Sequence, residues 1–170
     1  DCGSISLSGI EIDSTNESTL YNSLVLDNDK YNIVIMHGQI GQINLNAMKN
    51  KGIDYLALGH VHEYQNGPID NRGIYCYSGC LEGRGFDECG AKGFVVLDID
   101  EQKLTAGFSF IPFAYRNLYT IYVDVTGAMT TQDAAAKIED ELAKNPYSSR
   151  SLVKIVLVGE VDVDCEINTD

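Results

Sequence analysis

The chain reads as an α/β protein in two parts, and three observations predict this. Two short apolar runs, Asn32–Met36 (NIVIM) and Ile53–Leu58 (IDYLAL), flank a short helical segment, the order of a parallel unit buried on both faces. Each run leads directly into histidine, at His37 and at Gly59-His60-Val61-His62, so all three histidines lie just past two strand ends. Past Ala114 the pattern changes to strand, amphipathic helix, strand. The expected division is therefore a first domain over 1–114 and a small β-α-β domain over 115–170.

Taken in order, Ile5 to Ile10 alternates as a strand and is closed by the polar cluster Asp13 to Ser18. Thr19 to Leu26 suits a short helix with Leu20, Leu24 and Val25 inward. Asn44 or Asn46 can cap a helix running to Lys51, with Leu45 and Met48 inward and Gly52 at its left-handed end. Gly67-Pro68 and Asn71-Arg72-Gly73 mark turns around an extended run, Gly73 to Ser78, and Gly79 to Gly93 is glycine-rich. Lys92 to Ile99 and Leu104 to Pro112 read as two strands joined by the turn Asp100 to Lys103. Asn117 to Val125 is an alternating strand. Thr130 or Thr131 opens a helix to Lys144 with Ala135, Ile138 and Leu142 on one face, and Ser151 to Val158 is the last strand.

With 170 residues, 44% of them hydrophobic, the chain can bury one sizeable core or a core plus an appended domain. Its 12 basic against 25 acidic residues give a net charge of -13, so the average surface repels polyanions. Any nucleic-acid contact needs a metal or a local basic patch. No apolar run approaches the roughly 20 residues that span a bilayer, and no signal-peptide pattern opens the chain, which predicts a cytoplasmic protein with no membrane partner. Five cysteines without a CxxC pair argue for reduced thiols over disulfides or a zinc ribbon. The sequence begins at Asp1 without methionine, as a fragment or a processed product does.

The histidines carry the chemistry. In an extended segment residues two apart face the same way, so His60 and His62 are expected to share one site. His37, on an adjacent strand about 4.8 Å away, reaches the same edge. Neutral imidazole suits Mn, Fe, Ni and Zn. No carboxylate nearby completes the set, since Glu63 is expected on the opposite side of His62.

NIVIMHG, IDYLALGHVH and YSGCLEGRGFDECGAKGFVVLDID together resemble the carboxyl-terminal half of calcineurin-like metallophosphoesterases, in particular the SbcD-like DNA repair exonuclease branch. The likeness runs to about Ala114, and FIPFAYRNLYTIYVDVTG resembles that branch's junction into its capping domain. The resemblance implies half of an α/β/β/α sandwich plus the cap. It also implies two divalent metals, manganese above iron, nickel or zinc, acting on a phosphodiester such as DNA. By motif position His37 and His60 would bind one metal and His62 the other. The family's amino-terminal motifs DxH, GDxxD and GNH(D/E), which supply the bridging aspartate, an asparagine ligand and the acid histidine, do not occur in this sequence. A chain with only the histidine half is expected to bind at most one metal weakly and to be inactive alone. Its expected partner is the amino-terminal half, and its open sheet edge would favour self-association.

Arg84, between Gly83 and Gly85, is the candidate for phosphate contact, weighed against a structural pairing with Glu82 or Asp87. Lys92 reads as a strand-start lysine that can also point at the site. Tyr115, Tyr119 and Tyr122 invite base stacking but, without a basic surface around them, read as core and rim packing residues. Two other readings remain: a non-catalytic binding or regulatory module with a residual metal site, and a phosphomonoesterase or protein phosphatase of the same superfamily.

Overall fold

The computed structural model describes residues 3–11, 19–162, 165 and 167. The polar cluster expected at Asp13 to Ser18 lies outside the described residues. The fold is mixed α/β, with one five-stranded sheet and two two-stranded sheets. It divides into two compact units, Asp1–Leu81 with Lys92–Phe113, and Glu82–Ala91 with Ala114–Asp170.

In the first unit, β1 (Ile5–Ile10), β2 (Tyr31–His37), β3 (Tyr55–Gly59), β4 (Gln65–Pro68) and β5 (Ile74–Tyr77) form a sheet of order β1-β2-β3-β5-β4. All neighbours are parallel except the edge pair β4–β5. One face, through Val34, Met36, Leu56, Leu58 and Tyr77, packs on Tyr21, Ile43, Met48, Ile53 and Ile69. The other face, through Tyr31, Tyr55 and Cys76, packs on Val95, Leu97, Ile99, Leu104 and Ala106. Those residues belong to the antiparallel hairpin of β6 (Gly93–Asp100) and β7 (Thr105–Pro112). Burial on both faces accounts for the continuous apolar character of β2 and β3.

The helices here are shorter than the sequence predicts. α1 spans Leu20–Ser23 and α2 spans Leu45–Met48, one turn each, because Leu24 and Lys49 already have extended backbone. Asn44 caps α2 by accepting the Ala47 N–H at 3.1 Å. Asn50 (φ +59) and Gly52 (φ +80) then turn the chain into β3. A polar network closes the opposite end of the sheet from the histidines. Arg72 grips buried Asp54 with two bonds of 2.8 Å and donates to the Lys30 carbonyl at 2.7 Å, while Asp54 also accepts the Asn32 N–H at 2.8 Å.

In the second unit, β8 (Leu118–Asp124) and β9 (Leu152–Val158) are parallel and are connected through α3 (Thr131–Ala143). Thr130 caps α3 in a capping box with Asp133. The helix buries Ala134, with Ile138 beside it, against Val123 and Leu157. Ala135, expected inward, is exposed, because the i, i+4 pair facing the sheet is Ala134 and Ile138. Residues 82–91, placed by the linear division in the first domain, group with this unit. Glu82 accepts the Tyr115 and Arg116 N–H groups at 2.8 and 3.3 Å, and the Gly90 N–H donates to the Leu118 carbonyl at 3.1 Å. Among the described residues no helix is long and apolar enough to cross a membrane.

Candidate metal centre

The parallel register sets His37 opposite Gly59, so β2 and β3 deliver His37 and His60 to one sheet edge. Their rings stand edge to face, with centroids 5.4 Å apart at 89°. Gly59 makes room for this: a Cβ there would lie 2.9 Å from His37 Nδ1. The left-handed backbone falls not on Gly59 but on His60, at φ +109. A non-glycine residue there is strained and must be held by its surroundings.

That strain also decides where His62 goes. β3 ends at Gly59, so the same-side geometry of an extended pair does not carry through His60 to His62. Among the described residues the three imidazoles do not gather within 4.8 Å of one another; a His62 ring nitrogen lies within 4.8 Å of the Cys80 thiol instead. The His62 carbonyl is fixed from behind, accepting from Lys92 Nζ at 2.8 Å and from Cys80 Sγ at 3.5 Å. All three histidines are exposed.

A cavity of about 490 Å³ opens beside His37 and is lined by Glu11, Ile35, Met36 and Gly59. Ile10 pairs with Met36, so Glu11, the next residue, stands level with His37. A carboxylate therefore lies near the histidine edge. The sequence reading missed it because Glu11 follows a strand with no histidine of its own. Imidazole and carboxylate together are a donor set that fits a divalent transition metal.

No family model matches this chain, and no curated protein does.

Arg84 lies in the second unit. Its N–H donates to Glu88 Oε2 at 2.8 Å and its guanidinium lies 3.5 Å from Glu88 Oε1, with the side chain 75% exposed. It thus pairs with Glu88, which the sequence reading did not weigh. Glu82 instead lies 3.6 Å from the Arg116 guanidinium. The tyrosines divide. Tyr119 packs edge-on against Tyr147, while Tyr115 and Tyr122 are exposed, and Arg150 covers the Tyr115 ring at 4.5 Å. Tyr119 is thus a packing residue, and Tyr115 carries a cation on its ring face.

A second cavity, about 480 Å³, lies by Tyr31, Asp54, Arg72 and Phe108. It offers little for binding. Arg72 is engaged by Asp54, the Lys30 carbonyl and Asn28, and burial, with Asp54 nearby, pushes the Tyr31 phenol up to about 12.

Proposed function

We propose that this chain carries the histidine half of a metal-dependent phosphoesterase site, most simply a phosphodiesterase or exonuclease of the calcineurin-like, SbcD-like type. The supporting observation is the perpendicular His37–His60 pair at the carboxyl ends of adjacent parallel strands, where open α/β sheets place their ligands. The layers of the first unit, short helices, five-stranded sheet and hairpin, are compatible with part of an α/β/β/α sandwich.

His37 and His60 would hold one metal and His62 the other, with manganese the first choice. Bound metals in such a site supply a hydroxide nucleophile and stabilise the attacking and leaving oxygens of a phosphodiester. The chain's own contribution is to fix the imidazoles: Gly59 gives the His37 ring its place, and the His60–His62 turn is held through the His62 carbonyl. Glu11 can offset part of the cationic charge, and Arg84 is the candidate phosphate contact. A net charge of -13 leaves a polyanion such as DNA little to bind except metal and arginine.

The bridging aspartate, asparagine ligand and acid histidine belong to motifs that this sequence lacks, so the chain by itself is expected to hydrolyse nothing. Isothermal titration of the 170-residue chain with Mn²⁺ should show at most one weak site, with no turnover of a phosphodiester. Two tight sites, or turnover, would overturn this reading.

One observation favours the non-catalytic module with a single zinc. His62 and the Cys80 thiol lie close enough to share an ion, and an imidazole–thiolate pair prefers zinc to manganese. Zinc binding that survives His37→Ala but not Cys80→Ser would select it.

A further inference from the structure

Lys92 stands out chemically. It is only 5% exposed, and among the described residues its ammonium has one hydrogen-bond partner, the neutral carbonyl of His62 at 2.8 Å. Removing an ammonium from water costs far more than one bond to an uncharged oxygen returns. A sequence that keeps lysine here gives up stability, and the bond it makes is to the backbone of a candidate ligand.

The backbone around Lys92 is fixed. Its carbonyl accepts the Phe113 N–H at 2.9 Å, and the next N–H, on Gly93, donates to the Cys80 carbonyl at 3.0 Å. A Cβ on Gly93 would come within 2.0 Å of the Ile111 carbonyl oxygen, so the chain can pass only as glycine. From this base the lysine stem reaches the 60–64 turn, against which a second segment also presses. Gly79 (φ +78) approaches so closely that a Cβ would stand 3.1 Å from the Tyr64 nitrogen and 3.2 Å from the His62 oxygen. The turn begins at His60, whose φ of +109 needs outside support.

We propose that Lys92 is a positioning residue: its buried ammonium clamps the His62 carbonyl, holds His60 in its strained backbone conformation, and so presets the His60 and His62 rings for a divalent cation. The consequence for metal rests on the metal-centre reading above; the clamp itself does not.

The test uses the full chain with Lys92→Met, which keeps the stem and removes the charge, and Lys92→Arg, which keeps a cationic donor. Without metal, amide hydrogen exchange at residues 60–64 should quicken on the order of tenfold in Lys92→Met, with the melting temperature unchanged or raised. With Mn²⁺ and Zn²⁺ as separate probes, Lys92→Met should lose about 10- to 100-fold in affinity, as when an outer support of a ligating residue is removed. Lys92→Arg should recover part of both effects. Unchanged exchange at 60–64 overturns the proposal. So does a fall in melting temperature with faster exchange throughout, which marks an ordinary structural lysine. Affinity that rises in Lys92→Met also overturns it, since the ammonium would then act only by repelling the cation. If the wild-type chain binds neither ion, exchange at 60–64 alone decides the clamp.

Discussion

His37 and His60 meet because a neighbouring position has no side chain. Alanine at Gly59 would bring a methyl within 2.9 Å of His37 Nδ1, so the ring has to leave its place against His60. Both histidines are exposed, and exposed rings move at little cost to the fold. Gly59→Ala should therefore change stability by no more than about 1 kcal/mol. It should displace the His37 ring resonances in NMR and weaken any divalent-metal binding at least about tenfold. Unchanged His37 resonances would show that the ring does not depend on this gap. The strained φ of His60 belongs with Gly59: room and strain occupy consecutive residues, and neither can be read from the letters GHVH alone.

Among the elements, legibility follows the source of each element's stability. β2, β3 and the hairpin strands β6 and β7 are visible in sequence because burial dictates their apolar patterns, and α3 because its cap and periodicity agree. β4, Gln65-Asn66-Gly67-Pro68, is not visible, since glycine and proline disfavour strands. It exists through pairing with β5, where the Tyr75 ring closely covers Gly67. The turn after β4 has its own anchor in Asp70, which accepts the N–H groups of Asn50, Arg72 and Gly73 at 2.7, 2.8 and 2.9 Å. Burial alone would raise its pKa, but those three N–H groups and the Arg72 charge prevail and hold the carboxyl below its usual 3.8. A carboxylate with a depressed folded pKa stabilises fully above the unfolded value and loses that contribution as pH falls through the folded one. Asp70→Asn should therefore cost about 1 to 3 kcal/mol at pH 7. That deficit should shrink once the pH drops below 3.8, as the wild-type carboxyl itself takes up a proton. Urea unfolding at neutral and strongly acidic pH measures the difference, and an equal deficit at both would remove the charge from the explanation.

For the whole molecule, the site and the exposed sheet edge share one strand. β1 ends at the cavity beside His37, and in the order β1-β2-β3-β5-β4 it pairs on one side only among the described residues. The register sets Leu7 beside Ile33 and Gly9 beside Ile35, on the face that carries the hairpin. The hairpin does not cover this end: Leu7 is 61% exposed and Ile35 47%. An open strand edge beside exposed apolar side chains is a template for a second chain. The charge of -13 opposes that contact between identical molecules, and salt screens the repulsion over a Debye length of about 10 Å at 0.1 M. Self-association should therefore grow with both protein concentration and ionic strength, the reverse of an association held by ion pairs. Leu7→Lys, which puts a charge into the apolar contact, should leave the chain monomeric under all those conditions. Sedimentation velocity at low and high salt distinguishes the outcomes. A wild-type chain that stays monomeric at high salt and high concentration would show that the β1 edge is protected, and a dimer that dissolves as salt rises would move the contact to the charged surface.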